Sequence, residues 1–155
     1  MMANDTFAAG RGWVITQLIL FALLFAAPFL DSGTPPTLLA VPLGLLIGGL
    51  GLLVVILAIT GLGRNLSIFP RPLPNSQLVQ SGIYSIVRHP IYTGVIFAAL
   101  SWSIVNWSWI ALIITVVLSV FFDRKAAHEE TMLKQKFPAY IAYKARVKKL
   151  IPWVY

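Results

Sequence analysis

PIYTGVIFAALSWSIVNWSWIALIITVVLSVFF, residues 90–122, is the stretch that decides the fold. It carries no charged side chain from end to end. As one helix at about 1.5 Å per residue it would run ~50 Å, well beyond a hydrocarbon core of ~30 Å. Its polar break, Asn106-Trp107-Ser108-Trp109, sits near the middle. Two short helices, 90–105 and 108–123, joined by a tight turn, fit better than one long span. The tryptophans then lie at the far membrane interface, where indole is favoured.

Working outward, Trp13 to Leu30 is a second uncharged run, about one bilayer crossing. The linker Asp31-Ser32-Gly33-Thr34-Pro35-Pro36 follows, with prolines that stop a helix. The run 37–62 is a further span, and its Gly44, Gly48, Gly49 and Gly51 offer a small-residue face for close helix packing, within the chain or in a homodimer. Residues 63–89 form the longest polar loop, where Pro70, Pro72 and Pro74 alternate and predict extended chain. Residues 124–155 form a tail. Tyr140, Tyr143, Val147 and Leu150 recur there near helical spacing with Lys144, Arg146 and Lys148 between them, which predicts a basic amphipathic helix on the inner leaflet.

Charge tests this layout. The 12 Lys and Arg fall in three places: Arg11; Arg64, Arg71 and Arg88; and the group from Arg124 to Lys149. Four spans put all of them on one side, which the positive-inside rule makes the cytoplasm. The expectation is an all-α integral membrane protein, a single domain over 1–155. It has about four transmembrane helices, the third and fourth a tight hairpin, and both termini are cytoplasmic. The first apolar run is long and lacks a clear small-x-small cleavage site, so it reads as a retained helix rather than a signal peptide. The chain is 155 residues, 58% hydrophobic and only 11% charged, which excludes an ordinary soluble domain. The absence of cysteine excludes disulfides and a thiol nucleophile, and 2 histidines are too few for a typical all-protein zinc site. The net charge of +7 has no soluble domain to display it, so membrane lipids rather than nucleic acid are the expected partners.

Chemistry-bearing residues cluster in Gly82-Ile83-Tyr84-Ser85-Ile86-Val87-Arg88-His89-Pro90-Ile91-Tyr92-Thr93-Gly94. Proline belongs in the first turn of a helix, so Pro90 starts the third span. The backbone N–H groups of Ile91, Tyr92 and Thr93 should then lack intrahelical partners and offer a carboxylate site. His89 and Tyr92 share a face, whether as ligands or simply as a cap and an interface anchor. Glu129 and Glu130 are the acids of an otherwise basic tail and should reach the same cytoplasmic surface. Helix amides for a carboxylate and a glutamate for a cation suit a zwitterionic ligand.

The run from Leu78 to Tyr84, the segment Arg88-His89-Pro90-Ile91-Tyr92-Thr93-Gly94, the pair Glu129-Glu130 and the stretch Phe137 to Val147 resemble the isoprenylcysteine carboxyl methyltransferase family, whose superfamily includes phospholipid methyltransferases. The resemblance covers 63–155 in order and spacing. It implies S-adenosyl-L-methionine bound at the cytoplasmic face under the tail. Ser76, Gln77, Leu78 and Val79 match the stretch lining the cofactor pocket. Tyr84 matches a cofactor-contacting tyrosine, His89, Pro90, Ile91 and Tyr92 match the His-Pro-x-Tyr motif, and Glu129 matches the cofactor-contacting glutamate. Lys125 falls where the family has an arginine that holds the substrate carboxylate; it cannot form the bidentate fork, which Arg124 beside it could supply. Pro138 replaces a common Gly, and Lys148-Lys149 replaces Pro-Arg, both in the tail that bears on the substrate. The implied reaction is SN2 methyl transfer to a carboxylate or another small or lipid-like acceptor. An amine acceptor would need a base, with Glu129, Glu130 or His89 as candidates. Two other readings stand beside it: a membrane reductase akin to sterol reductases, using NADPH, and a non-enzymatic scaffold or assembly protein.

Overall fold

A computed structural model describes residues 2–31, 38–67 and 73–155, with side chains from residue 10 onward. Most of the expected linker (32–36), the start of the second run and the Pro70-Arg71-Pro72 segment lie outside the described residues. The described chain forms five α-helices: α1 (Met2–Ala26), α2 (Ala40–Leu62), α3 (Pro90–Val105), α4 (Trp109–Lys136) and α5 (Tyr140–Arg146). Short 3₁₀ turns cover Ala27–Phe29, Gly63–Asn65 and Gly82–Ser85.

The segments Gly10–Phe29 and Ala40–Asn65 are long and apolar enough to cross a membrane, and α3 is a shorter apolar helix. Leu18, Leu23 and Phe25 on α1, Leu45, Leu46 and Leu52 on α2, and Ile113, Val116 and Val120 on α4 are all exposed. Aliphatic belts of this extent suit lipid, not water.

The break at 106–109 is a turn, as the sequence predicts. Trp107 sits at φ 51°, a left-handed conformation that ends α3 abruptly. Ser108 then caps α4, its Oγ accepting from the Ala111 amide at 3.0 Å. Asp31, just past α1, accepts from Ser108 Oγ at 2.6 Å and from the Ile110 amide at 3.0 Å. The turn is thus stapled to the end of the first helix by a carboxylate at a helix N-terminus, where the dipole favours it.

The glycines of α2 explain its packing. A Cβ on Gly51 would come within 2.7 Å of the Gly94 carbonyl oxygen, and one on Gly94 within 2.5 Å of the Gly51 oxygen. Gly48 meets Ser101 and Gly44 meets Val105 in the same way, whereas Gly49 faces open space. Ser101 Oγ donates to the Gly44 carbonyl at 2.6 Å across this seam. The glycine face is therefore occupied by α3 of the same chain, which removes it as a dimer surface. Beyond it α3 packs on α4 and α4 on α1, so α1 and α2 stand at opposite ends of a row. Leu24, Ala27, Ala99, Ala111, Leu118 and Phe122 form the core where α1, α3 and α4 meet.

Two expectations for the tail are corrected. The fourth helix does not end at 123. It runs on to Lys136, because the following residues are strong helix formers and no Gly or Pro intervenes before Pro138. The amphipathic helix is only α5, and its Tyr140 and Tyr143, with Leu150 beyond, are buried in the protein rather than laid on a leaflet. Tyr143 finds a buried partner for its hydroxyl, donating to the Tyr84 carbonyl at 2.6 Å.

Candidate active site

His89, the residue before Pro90, sits at φ -124° and ψ 61°, outside the helical region, and its side chain does not cap α3. The Thr93 amide bonds the His89 carbonyl at 3.1 Å, so it is not a free donor. That corrects one of the three expected amides: the first regular helical bond already consumes it. Ile91 and Tyr92 keep theirs among the described residues. The tail is laid directly beside this start. The Arg88 and His89 amides donate to the Lys148 and Lys149 carbonyls at 2.8 and 3.1 Å, and Thr93 Oγ1 donates to the Leu150 carbonyl at 2.7 Å.

The paired glutamates do different things. Neighbours on a helix diverge by about 100°, and packing decides which one faces inward. Glu130, with a side chain only 2% exposed, turns toward the tail and accepts from Arg88 Nε at 3.0 Å and Nη2 at 2.8 Å, and from Lys144. The remaining nitrogen of Arg88 donates to the Lys144 and Val147 carbonyls. Burial alone would raise the Glu130 carboxyl, but the His89 imidazole and the Lys144 and Arg88 cations converging on it hold it well below the usual carboxylate range. Glu130 is thereby committed to clamping the tail and is not available as a base.

Glu129 faces the other way. It accepts from the Tyr92 hydroxyl, and its Oε2 lies 3.6 Å from His89 Nδ1. Burial raises its carboxyl, which the nearby His89, Tyr92 and Lys125 only partly offset. The Tyr92 ring lies between His89 and Phe122, stacked at 5.6 and 4.7 Å between centroids. His89 Nε2 is 3.4 Å from Glu130 Oε1 but poorly aligned, and it is a buried nitrogen without a hydrogen-bond partner.

Tyr84, His89, Tyr92, Lys125 and Glu129 line one cleft of ≈ 380 Å³, with Ile59, Leu62 and Leu133 on its apolar side. Gln17 of α1 also reaches it. Lys125 is 3% exposed, and its Nζ donates to Gln17 Oε1 at 2.7 Å and sits 5.3 Å over the Tyr92 ring. Desolvation lowers its pKa, and Glu129 pulls it back only in part. Arg124, expected as the alternative anion holder, is exposed and outside the cleft, a correction with the same cause as the glutamate split. Tyr84 is anchored by donating to the Ala58 carbonyl at 3.3 Å, and burial raises its hydroxyl well above the usual phenol range.

The expected cofactor stretch is divided. Gln77, Leu78 and Val79 line a separate hollow of ≈ 700 Å³ shared with Tyr143 and Arg146. Ser76 lines neither, its Oγ donating to the Leu73 carbonyl at 2.7 Å and accepting from Lys136 at 3.0 Å. The structure therefore brings together Tyr84, His89 to Tyr92, Lys125 and Glu129, and leaves 76–79 and Arg124 outside. Among the described residues no group of three His, Asp or Glu could hold a metal. Sequence reading missed Gln17, although a lone amide inside an apolar run was the available signal.

A family model for phospholipid methyltransferases matches residues 39–139. The chain is 29% identical over 155 residues to the protein-S-isoprenylcysteine O-methyltransferase of Saccharomyces cerevisiae, covering 97% of this chain and 65% of that one. It is 35% identical over 80 residues to protein-S-isoprenylcysteine O-methyltransferase B of Arabidopsis thaliana, covering 50% and 41%. The solved structure of the eukaryotic intramembrane Ras methyltransferase, an isoprenylcysteine carboxyl methyltransferase, superposes with a TM-score of 0.71 at 22% identity, over 93% of this chain and 53% of that one. The fold is thus shared, while this chain spans less than two thirds of each relative's length.

Proposed function

The chain belongs to the phospholipid methyltransferase family, and on that premise we propose that it is an integral membrane methyltransferase that uses S-adenosylmethionine to esterify the carboxylate of an isoprenylcysteine-like lipid. The observation that carries the reading is the convergence of His89, Tyr92 and Glu129 with the free amides of Ile91 and Tyr92 on one cleft. The names of the yeast and plant relatives support the acceptor class.

The residues present fit the cofactor. Its amino-acid end carries a carboxylate and an ammonium. The Ile91 and Tyr92 amides at the start of α3 suit the first, and Glu129 suits the second. A cation beside Glu129 relieves the burial that raises its carboxyl. The orphaned His89 Nε2 offers a further polar contact, and ≈ 380 Å³ is within the ordinary range for small-molecule clefts. When bound, S-adenosylmethionine supplies an electrophilic methyl on a sulfonium that departs as a neutral thioether. A carboxylate acceptor attacks through its own oxygen lone pair and needs no base, so the protein's task is orientation. Lys125 faces the cleft to hold the acceptor's charge. Tyr92, stacked between two rings, sets the position of Glu129. The tail clamp of Arg88 and Glu130 closes the site against water.

In the membrane, α1, α2, α3 and the first half of α4 are the four spans, with Arg11, Arg88 and residues 124–155 on the cytoplasmic side. Because α1 and α2 make little direct contact, the apolar lip at Ile59 and Leu62 is open to a lipid tail arriving from the bilayer.

The test is calorimetric titration of S-adenosylmethionine into the detergent-purified chain, followed by radiolabelled methyl transfer to N-acetyl-S-farnesyl-L-cysteine and to phosphatidylethanolamine. Saturable binding that Glu129→Ala removes, with label in a base-labile ester, is expected. A folded chain that binds no cofactor, or that labels only the amine lipid, overturns the proposal.

A further inference from the structure

We propose that Gln17 of α1 and Lys125 of α4 together form a two-donor anion seat for the acceptor's carboxylate, with Gln17 as the specificity-determining half. The inference rests on the function proposed above for its choice of acceptor. Lys125 is nearly fully buried, yet among the described residues no carboxylate lies within 4.0 Å of its ammonium. Among the described residues its single hydrogen bond goes to a neutral amide. Glu129, engaged by Tyr92, offsets the desolvation of this cation only in part, so an arriving anion would relieve the remainder. An ammonium has three donors, of which Gln17 takes one.

The direction of that bond fixes the role of Gln17. Its Oε1 accepts from Lys125, so its amide nitrogen, with two hydrogens, is turned away from the lysine. That nitrogen has no partner among the described residues, and the side chain lines the cleft. The Tyr92 ring supports the ammonium from one side, while the Glu129 carboxylate is engaged by the Tyr92 hydroxyl. A carboxylate in the cleft can then accept one bond from Lys125 and one from Gln17. Two side chains on different helices supply what a guanidinium fork supplies alone. The competing role for the pair is a plain staple between α1 and α4, and the two roles separate experimentally.

Gln17→Glu keeps and strengthens a staple, because the new carboxylate pairs with Lys125, but it fills the seat with an internal anion. The measurement is equilibrium binding of N-acetyl-S-farnesyl-L-cysteine and of its neutral carboxamide to the full chain in detergent, beside the melting temperature. The parent chain should prefer the carboxylate by about 10-fold or more, the scale of one charge-assisted hydrogen bond. Gln17→Glu should erase that preference without lowering the melting temperature. Gln17→Ala should reduce it, and Lys125→Arg in the Gln17→Ala background should restore it. A parent chain that binds neither ligand or does not distinguish them overturns the seat, as does a Gln17→Glu variant that still prefers the carboxylate. If the preference is present but no methyl is transferred, the seat stands and the proposed reaction falls.

Discussion

Replacing Arg88 by Ala should release the tail. The Arg88 side chain is 6% exposed and contacts a Glu130 that is 2% exposed. Its removal strips two of the bonds that satisfy Glu130 and both of the bonds that hold the Lys144 and Val147 carbonyls. Leaving one member of a buried pair uncompensated costs about 3–5 kcal/mol. The two carbonyls add little once the tail swings out, because water then solvates them. For a chain of this size about 2–4 °C of melting temperature is lost per kcal/mol, so a fall of roughly 6–20 °C is expected. Thermal unfolding followed by tryptophan fluorescence in detergent measures it. Trypsin cleavage at Lys144, Arg146 and Lys148 should accelerate in parallel at temperatures well below melting. Arg88→Met with Glu130→Met should recover much of the loss, since an apolar pair of similar volume replaces a buried ion pair at little cost. A single Arg88→Ala variant that melts within about 1 kcal/mol of the parent, with unchanged tryptic cleavage, would refute the clamp.

The remaining predictions address the site, the packing and the turn. Glu129 has a raised carboxyl, so its contribution to stability is fully present below the unfolded value of about 4.3 and is lost as pH rises through its folded value. Glu129→Gln should therefore melt higher than the parent at neutral pH while losing S-adenosylmethionine affinity, a stability–function trade readable from melting curves and calorimetry on one sample. Glu130 runs the other way. Its depressed carboxyl contributes above about 4.3 and fails only as pH falls through its folded value, so tail cleavage by a protease should be flat from pH 5 to 8. Gly51→Ala should destabilise by about 1–3 kcal/mol through overpacking against Gly94, whereas Gly49→Ala, facing open space, should stabilise by about 0.5–1 kcal/mol in the same melting assay. Asp31→Ala should lower the melting temperature, because the Ser108 hydroxyl and Ile110 amide lose their acceptor; an unchanged melting temperature would refute the staple.

The elements of the bundle were legible because their causes are local. The apolar run 90–122 is too long for one crossing, its polar break has turn chemistry, and Pro90 can only begin a helix. The same locality made His89, Tyr92 and the glutamate pair visible as candidates. Where α4 ends was not legible from hydropathy, because charged residues leave the membrane without leaving the helix, and Arg124 to Lys136 are good helix formers. The face taken by each side chain was not legible at all. Glu129 and Glu130, Arg124 and Lys125, and Arg88 and His89 are adjacent pairs of similar chemistry. The first two pairs diverge by about 100° on a helix whose rotation is set by its neighbours.

By itself, the sequence determined where apolar runs begin and stop, where the chain must turn, and which polar groups stand near a membrane face. The tertiary structure decided which of those groups meet. The close approach of Gly51 and Gly94 fixes α3 against α2, and the packing of α4 on α1 sets Lys125 beside Gln17, 108 positions away. Such encounters depend on how whole helices pack around a shared core, and no local propensity encodes that.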